Sequence, residues 1–439
     1  GCVYIDLSTI HSMIALPFHP SNGFEIRELN ENMDDILHSV EEDAKKLIKN
    51  PDLKLNLRDK VRDGALYADQ GTIAGCAGGT YSNIMEAAYL LDGKSTGTDE
   101  FALSVYPSSQ AVMLDLIRKG AIEKLIAAGA TIRTAFCGPC FGAGDTPANN
   151  AFSIRHTTRN FPNREGSKLQ NGQISSVALM DARSIAATAL NGGKITAATD
   201  IEYECTVPEY EFDSSAYDRR IYYGFGKADP SVELVMGPNI TDWPKMYALT
   251  ENLLVKLAAV IHDPVTTTDE LIPSGETSSY RSNPLRLAEF TLSRREPAYV
   301  GRAKEIAKLE GERRSGAVPA EIVETLNRVG NGAELANNTQ FGSCVFANKP
   351  GDGSAREQAA SCQKVLGGFA NICYEYATKR YRSNCINWGI LPFTIDDGTE
   401  FNYEPGDCVF VPGIRAAVEN GTENIPAKVI RQNGDVCDI

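Results

Sequence analysis

Three cysteines stand where a soft metal centre would need them. Cys76 lies in A-G-C-A-G-G-T, and Cys137 and Cys140 form C-G-P-C directly after a short apolar run. Thiolates are the ligands of soft metals. Four would close a zinc site or an iron–sulfur cluster. Three leave one iron of a cubane without a protein thiolate, open to substrate as a Lewis acid. Glycines on both sides of Cys76 let the backbone turn sharply and approach a ligand. A single C-x-x-C is also the pattern of a zinc half-site or a redox pair, and the residues alone leave these readings open.

Other candidates surround this set. Arg159 and Arg164 lie five apart in I-R-H-T-T-R-N-F-P-N-R-E-G-S. Guanidinium groups grip carboxylates through two parallel hydrogen bonds, so the pair suits a di- or tricarboxylate, with surface ion pairs as the plain alternative. Further on, P-G-D-G-S-A-R-E-Q-A-A opens a helix. Ser354 and Glu357 spell a capping box there. The same position exposes the serine oxygen to the helix dipole and, with Arg356 nearby, could favour an alkoxide that acts as a base. Asp269 and Arg281 stand out in T-T-T-D-E-L-I-P-S-G-E-T-S-S-Y-R-S-N, where a turn aspartate and a surface arginine are the structural readings.

The elements that must hold these residues follow from pattern. Apolar runs at Val3 to Leu7, Leu66 to Ala74, Thr131 to Phe136 and Ile174 to Met180 predict strands. Met33 to Lys49, Thr80 to Leu91, Ser109 to Ala128 and Ala182 to Leu190 predict helices, with Pro51 ending the first. Strands alternating with helices indicate an α/β domain with a mainly parallel sheet, whose ligands bind at the loops after the strands. The pattern weakens from about 200 to 245, which reads as a linker, and a second domain follows with helices at about 300 to 311 and 357 to 379.

Composition sets the frame. A chain of 439 residues, 42% hydrophobic, is long enough for two or three cores. A formal charge of -14 repels phosphate backbones, so no nucleic-acid partner is expected, although a local arginine cluster could still hold an anionic substrate. No apolar run is long enough for a membrane span. Eleven cysteines, an odd number, without a signal-peptide pattern indicate a reducing, cytoplasmic setting. Cys205, Cys344, Cys362, Cys373, Cys385, Cys408 and Cys437 read as small buried apolar residues. The opening G-C-V-Y-I-D-L, a strand with no lead-in and no initiator methionine, reads as part of a longer chain.

The order of the motifs then carries a resemblance. G-C, C-G-P-C, T-R-N-F-x-x-R and, after a long gap, T-T-D, Y-R-S-N and G-S-x-R-E resemble the aconitase and isopropylmalate isomerase superfamily. The likeness runs from I-D-L-S and A-L-P-F-H-P to I-L-P-F at Ile390. It implies a three-layer α/β/α domain with a mainly parallel sheet over 1–205, a linker over 206–245, and a swivelling β/β/α domain over 246–439. It implies a 4Fe-4S cluster on Cys76, Cys137 and Cys140, which air would oxidise and strip. Arg159, Arg164, Arg281 and Arg356 would bind substrate carboxylates, Ser354 would remove the proton on carbon, and Asp269 would support proton transfer.

The implied reaction is dehydration and rehydration of a di- or tricarboxylate hydroxy-acid. The family's first two domains, which supply further acid–base histidines and aspartates, would be partners from the same polypeptide, and the segment alone would show negligible hydratase activity. Departures from the family are specific. Ala77-Gly78 stand for the usual Thr-Asn after the first cysteine, Thr158 for an Asn, Asn163 for a Gly and Ala355 for a Ser. These changes also admit a non-catalytic iron–sulfur or metal-sensing protein that keeps the fold, and the C-x-x-C admits a zinc or disulfide protein.

Overall fold

The computed structural model describes residues 2–48, 52–162, 174–273, 277–353 and 357–439. The chain forms two compact units, Gly1–Ser231 and Val232–Ile439.

The first unit is built on a seven-stranded sheet. Its strands are β1 (Met13–Ala15), β2 (Gly23–Glu25), β3 (Gln70–Ile73), β4 (Ala102–Val105), β5 (Thr131–Ile132), β6 (Phe152–His156) and β7 (Ser176–Met180). Their order is β2-β1-β7-β6-β3-β4-β5. The run from β7 to β5 is parallel, and β1 and β2 close one edge antiparallel. From β3 the chain winds outward through β4 to β5, then returns to place β6 on the other side of β3. Ile73 and His156 pair at the ends of β3 and β6. The winding direction reverses between these two strands, and that crevice is where ligands enter open α/β sheets. Every residue of β6 except His156 is buried, so both faces of the sheet are covered, as parallel strands require.

Most helices fall where periodicity placed them. Ala182–Leu190 matches the expected span, and its N-cap Asp181 accepts from the amides of Arg183 and Ser184. Met33–Ile48 and Tyr81–Leu91 also form. The span from Ser109 to Ala128 is two helices, Gln110–Arg118 and Ala121–Ala128. Gly120 divides them at φ 77°, a left-handed conformation that stops a helix. The strand expected at Val3 to Leu7 does not form. Val3, Tyr4, Ile5 and Leu7 are exposed, and only a 3-10 turn at Leu7–Thr9 appears. The antiparallel hairpin of β1 and β2 takes the sheet edge that this segment would have needed.

The second unit has its own seven-stranded sheet. Its strands include β8 (Asn252–Ile261), β9 (Thr339–Ala347), β10 (Gly368–Cys373), β11 (Leu391–Thr394) and β12 (Cys408–Val411). Strands β8, β9, β10 and β11 run parallel, and β12 lies antiparallel beside β8. Alternation along β8 serves two cores. Leu253, Val255 and Leu257 join Cys344 and Phe346 on one face, while Leu254 and Ala258 join Phe341 and Val345 on the other. The expected helix from 357 to 379 ends at Val365, because Gly367 and Gly368 break it and Gly368–Cys373 joins the sheet. Cys344, Cys362, Cys373, Cys385 and Cys408 are buried as expected, while Cys205 and Cys437 are half-buried. Among the described residues no helix is long and apolar enough to cross a membrane.

Candidate active site

Two loops of the first unit bring the three cysteines together. Cys76 sits in the helical turn Gly75–Gly78 directly after β3. Cys137 and Cys140 bracket a 3-10 turn, closed by the Cys140 amide donating to the Cys137 carbonyl at 3.0 Å. Residues three apart in such a turn eclipse one another, so both thiols share a face. Gly75 adopts φ 71°, and a β-carbon there would lie 3.0 Å from the Cys140 sulfur. The Cys140 thiol therefore lies against the turn that carries Cys76.

Electrostatics agree with the grouping. Burial pushes the Cys140 thiol up, the Thr158 amide pulls it down, the Cys137 and Cys76 charges push it up again, and Arg159 draws it down. None of the three thiols is tied into a disulfide; Cys76 and Cys137 are exposed and Cys140 half-buried. Arg159 follows β6, half-buried, on the loop after that strand. Asn160 anchors that loop by donating to the carbonyls of Leu16 at 2.7 Å and Ala15 at 3.2 Å. Arg164 lies outside the described residues.

Sequence reasoning missed the groups that hold these loops. Arg155 is 1% exposed inside β6. Its guanidinium donates to the carbonyls of Pro139 at 2.7 Å and Asp145 at 2.9 Å, and to the Ser153 hydroxyl at 3.0 Å. It thus clamps the loop of Cys137 and Cys140 from beneath. A charged residue inside the apolar run A-F-S-I-R-H was the available signal. Behind the same loop, burial and a hydrogen bond to Asp145 push the Tyr106 hydroxyl up to about 12, and Arg133 pairs with Asp145 at 3.2 Å. His156 ends β6 against Gly78, and burial lowers its pKa.

The second unit holds the other candidates. The two-residue strand Thr266–Thr267 pairs parallel with Pro350–Asp352. Thr267 pairs with Asp352, so Asp269 in the helical turn Thr268–Leu271 lies beside the end of P-G-D-G. Thr267 and Glu270 form a capping box. Asp269 is 7% exposed and meets the exposed Arg294 at 3.5 Å, a buried acid paired with a surface arginine rather than a solvent-facing turn aspartate. Gly351 and Gly353 adopt φ 94° and 115° just before residue 354. Ser354 and Arg356 lie outside the described residues, and so does the Ser354–Glu357 capping box. Arg281 is exposed at the end of the 3-10 turn Ser278–Tyr280. It leads into Pro284–Ala288, which packs on the helix Glu357–Val365 that follows Ser354.

The donor set fits an iron–sulfur cluster in kind. Three thiols from two loops lie at the crevice between β3 and β6, and a side chain at Gly75 would intrude on them. Among the described residues no three His, Cys, Asp or Glu side chains gather round a single metal-ion position. The irons of a cubane are separate atoms, so its thiolates need not converge on one point.

Fold and site together define an α/β protein with a three-thiol crevice in one unit and a buried acid in a second α/β unit. Comparisons name its kin. A model of the aconitase family (aconitate hydratase) matches residues 1–187, and one of the aconitase C-terminal domain matches residues 321–398. The 3-isopropylmalate dehydratase large subunit of Thermoanaerobacter pseudethanolicus is 36% identical over 138 residues, 31% of this chain and 33% of that protein. A mitochondrial homoaconitase of Cryptococcus neoformans is 27% identical over 353 residues, 78% of this chain and 43% of that protein. A 3-isopropylmalate dehydratase structure from Methanocaldococcus jannaschii aligns at 17% identity and a TM-score of 0.24, over 42% of this chain and 79% of that one. The chain belongs to the aconitase and isopropylmalate isomerase superfamily. Its matches span less than half the length of the curated relatives.

Proposed function

We propose that this chain serves a hydro-lyase that isomerises a di- or tricarboxylate hydroxy-acid by dehydration and rehydration. The observation that carries the reading is the grouping of Cys76, Cys137 and Cys140 beside Arg159 at the reversal point of a parallel sheet. Those thiols would hold a 4Fe-4S cluster, which when bound supplies a Lewis acid for the leaving hydroxyl. Arg159 and Arg164 in the first unit, and Arg281 and Arg356 in the second, are the arginines this reading assigns to substrate carboxylates. Ser354, three residues before the helix Glu357–Val365 in the sequence, takes the proton from the carbon next to the carbinol. Asp269, buried and paired with Arg294, supports that proton transfer. The matches cover 33% and 43% of these relatives, and this reading expects negligible complete turnover by this chain alone.

Proton abstraction can be read apart from turnover. The anaerobically reconstituted protein would be incubated in heavy water with citrate, isocitrate and 3-isopropylmalate. The reading expects the carbon-bound proton of one of them to exchange, and Ser354→Ala to abolish that exchange. No exchange with any acid, or exchange that survives the substitution, contradicts the reading.

A further inference from the structure

Lys364 is a buried amine that the hydro-lyase reading does not use. It stands in the last turn of the helix Glu357–Val365 and is 8% exposed. Lysine is almost never buried unless an acid pairs with it. Here Nζ donates to the Gly389 carbonyl at 2.9 Å and lies 3.9 Å from the centroid of the Phe369 ring. Neither partner carries a charge, and among the described residues no carboxylate forms an ion pair with it.

Those two contacts place the nitrogen. Gly389 and Phe369 both line a cavity of about 1120 Å³ in the second unit, and Lys364 lines it with them. Trp388, Leu391 and Phe393 extend its apolar wall. Phe369 is buried, whereas Ile386 and Val418 on the same lining are exposed, so the cavity reaches from the amine's contacts to the surface. Bracing the Gly389 loop does not account for this setting. A lysine that only ties a loop keeps its ammonium in water and buries its stem. Burial here disfavours the ammonium and lowers its pKa to about 8. At pH 8 about half of such amines are neutral, against about 0.3% of ordinary lysines. A neutral amine stripped of water in an apolar pocket is a nucleophile.

We propose that Lys364 is a covalent carbonyl-binding site, whose Nζ takes an apolar aldehyde from this cavity as an imine. The Nζ lone pair attacks the carbonyl carbon and forms the C–N bond, while the carbonyl π electrons move to oxygen. One proton passes from nitrogen to that oxygen. The hydroxyl then leaves with the second nitrogen proton as water, and the C=N bond forms. Amine and aldehyde become imine and water, with nothing oxidised or reduced. The apolar wall selects the body of the aldehyde, and the amine supplies the bond. This site is independent of the cysteine cluster and of the hydro-lyase reading.

The test uses the full chain at pH 8. It would be incubated with benzaldehyde, or with the polar glyceraldehyde, and cyanoborohydride would reduce any imine to a stable amine. Peptide mass spectrometry would then read the rate at each lysine. Lys308, whose side chain is 78% exposed, is the internal comparator. The proposal expects benzaldehyde to label Lys364 roughly tenfold faster than Lys308, because far more of the buried amine is neutral. It expects glyceraldehyde to show no such preference, and the two lysines to react alike in urea. In Lys364→Met, Lys308 should be labelled as in wild type. Labelling of Lys364 by benzaldehyde no faster than Lys308 in the folded chain overturns the proposal. So does an equal preference for Lys364 with both aldehydes, which would remove the cavity from the account.

Discussion

An alanine at position 78 would put its methyl carbon 2.2 Å from a backbone oxygen of His156, and backbone cannot swing aside as a long side chain can. Gly78→Ala should therefore cost about 1–3 kcal/mol of stability and displace the turn that carries Cys76. Chemical unfolding together with reconstituted iron content would show it, and an unchanged midpoint with full iron would contradict it. Arg155 is a second case. Arg155→Met would leave the carbonyls of Pro139 and Asp145 buried without their donor, so cluster loading should fall while the remainder of the unit stays folded. Iron per protein compared with far-ultraviolet circular dichroism separates the two effects. The legible residues are those whose spacing is itself the signal, Cys137 and Cys140 foremost. Arg155 shows in the sequence only as a charge inside an apolar run; its role is not legible, because its partners Pro139 and Asp145 lie on a loop from another strand, which no local spacing encodes.

Among elements, the long helix of the second unit, Tyr299–Arg314, carries two glycines with open space around them, Gly301 and Gly311. Glycine in a helix interior costs about 0.5–1 kcal/mol relative to alanine. Gly311→Ala should raise the stability of the protein by that amount, measured by urea unfolding, and a loss would mean that the apparent space is filled by something else. The contrast with Gly78 is one of surroundings, since the same substitution meets backbone in one place and open space in the other. Element legibility follows the same logic. Ala182–Leu190 is readable because its cap and periodicity are local. Val3 to Leu7 misleads because a strand needs a vacant edge, and β1 and β2 close it. The span from 357 to 379 misleads because the β-forming run after Gly367 is short and joins a sheet assembled from distant segments.

At the scale of the whole molecule, buried thiols set the alkaline limit. Burial pushes Cys362, Cys373 and Cys408 up to about 12 and Cys385 up to about 11, and raises Cys344 as well. Above pH 9, the ordinary thiol value here, the unfolded chain releases these protons while the folded chain keeps them. The unfolded state then binds fewer protons, so stability falls as pH rises. Lys364 works the other way. Burial lowers it to about 8 from 10.5, so its unfavourable contribution is relieved between those values. Five thiols outweigh one ammonium, and the urea midpoint in reductant should drop between pH 9 and pH 11. A flat or rising profile would contradict the burial of these groups.

The central claim is that three thiols on two loops form one cluster site. Anaerobic reconstitution with iron and sulfide, followed by visible absorption and iron analysis of wild type and Cys137→Ser, tests it most directly. The account predicts an iron–sulfur spectrum in wild type that is lost in Cys137→Ser. Zinc in place of iron, or an iron–sulfur spectrum that persists without Cys137, would contradict it.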